Sequence, residues 1–137
     1  YIIETSAGAS RSFMAFLLNA YNEEMVNGEQ RVVLRFHPRL APLKAAILPL
    51  VNKDGMPEIA RKIETDIRRN FKVFYDDKGA VGRRYRRMDE AGTPYCITVD
   101  TQTTEDGTVT VRERDSMQQE RIDASRLNEY LSGKLIG

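Results

Sequence analysis

The sequence is poor in the residues that most often carry chemistry. It has one cysteine, Cys96, and one histidine, His37, in 137 residues. A lone cysteine excludes an internal disulfide and fits a reducing compartment. One histidine and one cysteine are too few for a structural zinc site, and no metal site is expected. With His37 next to a proline, no Ser-His-Asp set can be assembled, and Cys96 inside an apolar run reads as core rather than nucleophile. No apolar stretch approaches the roughly 20 residues of a membrane span. A basic stretch followed by a long apolar core is also missing, so no signal peptide is expected. There is no starting methionine: Tyr1-Ile2-Ile3 reads as the tail of a buried strand, as in a piece of a longer protein. The net charge is only +1, which excludes a polycation. Internal repeats and low-complexity segments are lacking too.

What is present is an alternation of helical and strand periods. After the strand tail, Phe13, Phe16, Leu17, Ala20 and Tyr21 recur at three- and four-residue steps, predicting one apolar helical face that Asn27-Gly28 ends. Residues 31–36 (RVVLRF) read as a strand. Two prolines within residues 37–42 predict a stiff extended connector and a domain boundary. Residues 43–51 (LKAAILPLV) form an apolar run suited to a strand buried on both faces. Pro57 opens a helix carrying Ile59, Ile63 and Ile67. Residues 71–77 (FKVFYDD) are a second strand. Residues 80–90 are a short helix and 95–100 (YCITVD) a third strand. Residues 101–106 read as a polar turn leading into a strictly alternating strand over 108–114. Residues 118–122 fit either an edge strand or a helix. Residues 125–132 are a terminal helix that Gly133 stops. The order β-α-β-α-β-β-α predicts an α/β fold with a mixed sheet flanked by helices.

Three stretches have the makings of a ligand site. The first is ETSAGASR, where small residues let a ligand approach the backbone and Arg11 can stack on a base or meet a phosphate. From spacing alone a plain turn with a Glu4–Arg11 ion pair is the favoured explanation, since short glycine patterns recur widely. The second is GAVGRRYRRMDE, in which Lys78, Arg83, Arg84, Arg86 and Arg87 fall within ten residues that contain no acid. Such clustering around Tyr85 suits phosphates and a stacked base. A solvated helix with arginines paired to Asp89 and Glu90 is the alternative. The third is VTVRERDS, where alternation puts Arg112 and Arg114 on one sheet face. There they could read unpaired bases or make cross-strand charge pairs.

Taken in order, ETSAGASR, HPRLAPLKAAILPL, YDDKGAVGRRYRRMDEAGTPYCITVD and TVTVRERDSMQQERI resemble the C-terminal part of the homodimeric class II glycyl-tRNA synthetases, along nearly the whole chain. The resemblance implies that residues 1–36 end the catalytic domain, with its third signature motif. Residues 37–42 would be a linker and 43–137 an anticodon-binding domain on a five-stranded sheet. It implies that Arg11 is the catalytic arginine packed on the adenine of ATP. Glu4, Thr5, Ser6, Ala7 and Gly8 would hold glycine, and Gly8, Ala9, Ser10 and Arg11 would run along the nucleotide. Thr5 stands where the family has proline. Thr103, Arg112 and Arg114 would contact the anticodon, with Arg83, Arg84, Arg86 and Arg87 as further tRNA contacts. The implied reaction is ATP-dependent charging of glycine tRNA through glycyl-adenylate, with magnesium, in a cytoplasmic homodimer without membrane contact. The first two signature motifs are not in this sequence, so the chain alone is not expected to aminoacylate. Two rivals are a non-enzymatic RNA-binding module of the same fold and a small metabolite-binding α/β domain.

Overall fold

The structure, a computed structural model, describes Ser6 and residues 8–135. The expected strand tail at residues 1–3, together with Glu4, Thr5 and Ala7, lies outside the described residues.

Helix α1 (Ala9–Ala20) leads directly into a hairpin of β1 (Tyr21–Val26) and β2 (Glu29–Leu34). Asn27-Gly28 does not stop a helix; it turns this hairpin, with φ of 51° and 80°. Asn-Gly accepts a left-handed backbone at both central positions, which suits the twist of paired strands. The apolar period of α1 is only partly used. Ala20 is buried and Leu17 half-buried, whereas Phe13, Met14, Phe16 and Leu18 are exposed. Residues 37–42 are a turn rather than an extended connector. His37 O accepts from the Leu40 and Ala41 amides at 2.7 and 3.2 Å, and Ala41 packs with Ala20 and Phe36.

The main sheet has the order β4-β3-β5-β6-β7. Its strands are β3 (Ala45–Pro49), β4 (Val73–Tyr75), β5 (Tyr95–Val99), β6 (Thr108–Glu113) and β7 (Gln119–Asp123). β4, β3 and β5 run parallel, joined by helices α2 (Met56–Ile67) and α3 (Val81–Ala91). β6 and β7 then add antiparallel. β3 and β5 are buried at every position, as strands covered on both faces must be. On one face, Ala45, Ile47, Ile97, Val99, Val109 and Val111 pack against Met56, Ala60, Ile63 and Ile67 of α2. Leu127 and Leu131 of α5 (Leu127–Leu135) close the same layer. On the other face, Ala46, Leu48 and Cys96 meet Met88 and Tyr85 of α3.

Two local expectations change and one open alternative is decided. Residues 101–106 form a short helix, α4 (Thr101–Asp106), because Asp100 and Thr103 close a reciprocal capping box over its first turn. Residues 119–123 are the edge strand β7. Gly133 lies inside α5, exposed, with nothing near a hypothetical Cβ to select against other residues.

Candidate nucleic-acid interface

α3 covers β3 and β5 on the second face. Beyond it, the alternation of β5, β6 and β7 presents polar side chains in rows across the strands. Thr98 pairs in register with Thr110, and Thr110 with Arg121. The next row is Cys96, Arg112 and Gln119. Arg121 and Gln119 are exposed, Thr110 is half-buried, and Thr98 and Arg112 lie deeper beside α3. At one end of this floor Arg121 pairs with Asp100 and donates to Thr108 Oγ1 at 3.1 Å. Partial burial opposes ionisation of Asp100, but Arg121 and the Thr103 amide outweigh it and hold the carboxyl below its usual range.

The wall of the face is α3. Tyr85 Oη and Thr98 Oγ1 are hydrogen-bonded at 2.7 Å. The Arg112 guanidinium lies over the Tyr85 ring, 4.7 Å from its centre. Burial raises the Tyr85 phenol further above its ordinary value. Behind the ring sits Asp89, a carboxylate with no exposed surface. Its Oδ1 accepts from Arg112 Nη1 at 3.0 Å. Its Oδ2 accepts from Arg31 Nε at 2.9 Å, Arg112 Nη2 at 3.2 Å and Arg86 Nη1 at 3.5 Å. Arg31, on β2, also donates to Glu24 and to the Arg114 carbonyl. Burial works against the Arg31 charge, yet Asp89 and Glu24 more than compensate and raise its pKa.

The arginines singled out in sequence therefore divide. Arg112 sits on β6 beneath α3, whereas Arg114 lies in the turn just beyond the strand, and neither position is open. They are 4% and 2% exposed. Arg114 donates to Gly92 O at 2.8 Å, to Phe36 O at 2.6 Å and to Asp115. Arg84, 3% exposed, holds the Pro49 and Gly79 carbonyls and ties two loops together. Arg87 pairs with Asp76 and donates to Lys78 O. Thr103 is buried and spends its hydroxyl on the Asp100 capping box. Two of the set face solvent with little or no internal demand. Arg83 is exposed and has no side-chain partner among the described residues. Arg86 is 34% exposed and held only by the long contact to Asp89. Arg121, Gln119, Thr98 and Thr110 were not singled out. Their signal was the period-2 alternation of residues 119–123 continuing that of 108–114, hidden because the former stretch also fitted a helix.

At the other end of the chain, Arg11 is exposed on the first turn of α1. Gly8 caps that helix without a side-chain hydrogen bond, and Ser6, Ala9 and Ser10 are exposed around it. No cluster of three or more His, Cys, Asp or Glu able to hold a metal occurs among the described residues. Cys96 is buried, and burial pushes its thiol up to about 12. None of the described helices is long and apolar enough to cross a membrane.

Residues 44–134 match the family model described as "Anticodon binding domain". The chain is 53% identical over 137 residues to a protein named glycine–tRNA ligase from Borreliella burgdorferi, covering 99% of this chain and 31% of that one. It is 51% identical over 136 residues to a glycine–tRNA ligase from Chlorobaculum tepidum, covering 99% and 29%. The chain thus spans about a third of the length of the curated relatives it matches. Among solved structures, a prolyl-tRNA synthetase from Cryptosporidium parvum superposes with a TM-score of 0.68 at 24% identity, covering 77% of this chain and 22% of that one. The RNA binding domain of threonyl-tRNA synthetase from the same species gives 0.66 at 23%, covering 73% and 25%. These two share the fold. The mixed five-stranded sheet, its helices and the family match over 44–134 lead to one conclusion: the chain belongs to the anticodon-binding domain family.

Proposed function

We propose that this chain is the anticodon-recognition part of a glycine–tRNA ligase and that it binds glycine tRNA through the polar face of β5, β6 and β7. The observation that carries the reading is the row that rises from buried Thr98 through half-buried Thr110 to exposed Arg121, flanked by exposed Gln119 and beside a helix bearing Arg83 and Arg86. Splayed anticodon bases need edge donors and acceptors, and their phosphates need cations. Arg121, Thr110 and Gln119 suit the first role; Arg83 and Arg86 suit the second. Arg112 acts from beneath, holding Tyr85 and Asp89 in place. Identity near 50% with glycine–tRNA ligases along nearly the whole chain favours the ligase over a free-standing RNA-binding module.

Residues 1–36 would belong to the end of the catalytic domain and 43–137 to the anticodon-binding domain, joined by 37–42. In such a ligase ATP is a substrate, with magnesium on its phosphates. Arg11 would lie against adenine, with Gly8, Ala9 and Ser10 beside the nucleotide. The exposed Arg11 and the uncapped start of α1 fit that role. Glu4, Thr5, Ser6, Ala7 and Gly8 would hold glycine. The enzyme would work in the cytoplasm as a homodimer, and this chain alone would not charge tRNA; glycine-dependent pyrophosphate exchange by the isolated chain would refute that last point.

The deciding experiment is binding of the chain to glycine tRNA, and to the same tRNA with altered anticodon bases, over a salt series. Weaker binding of the altered tRNA at every salt supports base readout. Equal affinity for all of them leaves only phosphate binding and sinks the reading.

A further inference from the structure

Asp89 joins parts of the molecule that the sheet does not. Its partners come from β2 (Arg31), α3 (Arg86) and β6 (Arg112). Arg112 is the underside of the polar face, stacked on Tyr85, whose hydroxyl meets Thr98. Arg31 belongs to the β1–β2 hairpin that follows α1, the helix carrying Arg11. A continuous set of contacts therefore runs from Thr98 through Tyr85, Arg112, Asp89 and Arg31 to Glu24. Asp89 is also a single negative charge shared by three guanidiniums: Arg31 and both Arg112 nitrogens make three close bonds to it, and Arg86 adds a longer one at 3.5 Å. An anion that draws Arg86 or Arg112 outward leaves more of the carboxylate to Arg31. One that tightens Arg112 does the reverse. In a dry site such exchanges matter, because each buried charge depends on its remaining partners.

We propose that Asp89 is a positioning residue that links occupancy of the polar face to the hold on the β1–β2 hairpin, an inference that rests on the face binding RNA. Linkage is reciprocal: whatever RNA does to the hairpin, loosening the hairpin does back to RNA affinity. Hydrogen exchange of the chain, alone and saturated with an anticodon stem-loop of glycine tRNA, tests this. In the wild type the stem-loop protects β5–β7 and also shifts exchange of the β1–β2 ladder amides. In Asp89→Asn, hairpin amides exchange faster by about tenfold relative to those of β3 and β5. The stem-loop still protects β5–β7 but no longer changes the hairpin. Should Asp89→Asn fail to fold, Arg112→Gln, which leaves the Arg31–Asp89 pair intact, must likewise abolish the RNA-induced change at the hairpin. Protection of β5–β7 with no change at the wild-type hairpin overturns the linkage alone. An unaltered hairpin response in the variants does the same. Absence of any protection at β5–β7 counts against the RNA reading and overturns the linkage with it.

Discussion

A Cβ atom on Gly92 would lie 2.6 Å from Cδ2 of Phe36 and 2.9 Å from its Cε2. Gly92 ends α3 with φ of 77°, and Phe36 is the buried residue that follows β2. Two constraints meet at one position: a left-handed backbone and no room for a side chain. Gly92→Ala is expected to destabilise the chain by about 2–4 kcal/mol, the sum of backbone strain and overpacking. Urea unfolding of the two proteins measures it. A change below about 0.5 kcal/mol, the range of ordinary surface substitutions, would show that Phe36 yields freely.

Arg83 and Arg84 are chain neighbours with opposite fates. Arg83→Ala should leave stability within about 0.5 kcal/mol. It should also lower the salt dependence of RNA binding by about one phosphate contact. Arg84→Ala strips a buried donor from the Pro49 and Gly79 carbonyls and should cost about 2–4 kcal/mol. Thermal melts and salt-titrated binding separate the two. Equal melting temperatures for both variants would contradict the assignment.

Acid should loosen the molecule in a defined window. Burial opposes the charge on Asp76, but Arg87 and the Lys78 amide prevail and lower its pKa. Arg31 lowers Glu24, and Arg121 lowers Asp100 against partial burial. Hydrogen bonds from Thr108 and Gln102 bring Asp106 to about 2. The folded values lie below the unfolded ones, so the unfolded state takes up protons first. The stabilisation is complete above the ordinary carboxylate range near pH 4 and is lost as pH falls through the folded values toward 2. Denaturant midpoints measured at falling pH should stay level to about pH 5 and then decline. A midpoint that rises on acidification would be incompatible with these pairs.

Cys96 should be inert while the chain is folded. Its thiol is fully buried and raised to about 12, so almost no thiolate exists at pH 8. Ellman's reagent should read close to zero in native buffer and one thiol in guanidinium. Full labelling under native conditions would mean that the layer of Ala46, Leu48 and Met88 opens readily.

Much of this architecture was legible because hydrophobic period reports burial directly. LKAAILPLV contains β3, buried on both sides, and Ile63 and Ile67 mark the inward stripe of α2. The polar elements were harder. Tyr21–Val26 is a strand with no fully buried position, so its alternation carried no apolar signal, and the helix looked longer than it is. Residues 101–106 are all polar and become helical through a capping box rather than through packing. For the site, alternation held for Arg112 on β6 but not for Arg114, which falls in the turn after the strand. It could not say that α3 and the segment ending β2 cover both positions, since the covering residues Tyr85, Asp89 and Phe36 are distant in sequence.

The order of strands in the sheet has a kinetic side. β5, β6 and β7 are joined by α4 and a short turn, so their pairing closes small loops. β3 meets β5 by matching Ala45 with Tyr95, across the whole of α2, β4 and α3. Chain closure over that span is slower than closure of the antiparallel pairs, and even the β3–β4 pairing must first span α2. The antiparallel half, with the polar face, should thus assemble first and serve as the template on which the parallel half is laid. Pulse-labelled refolding should find β6 amides protected before those of β3, and simultaneous protection would show that the sheet condenses as one unit.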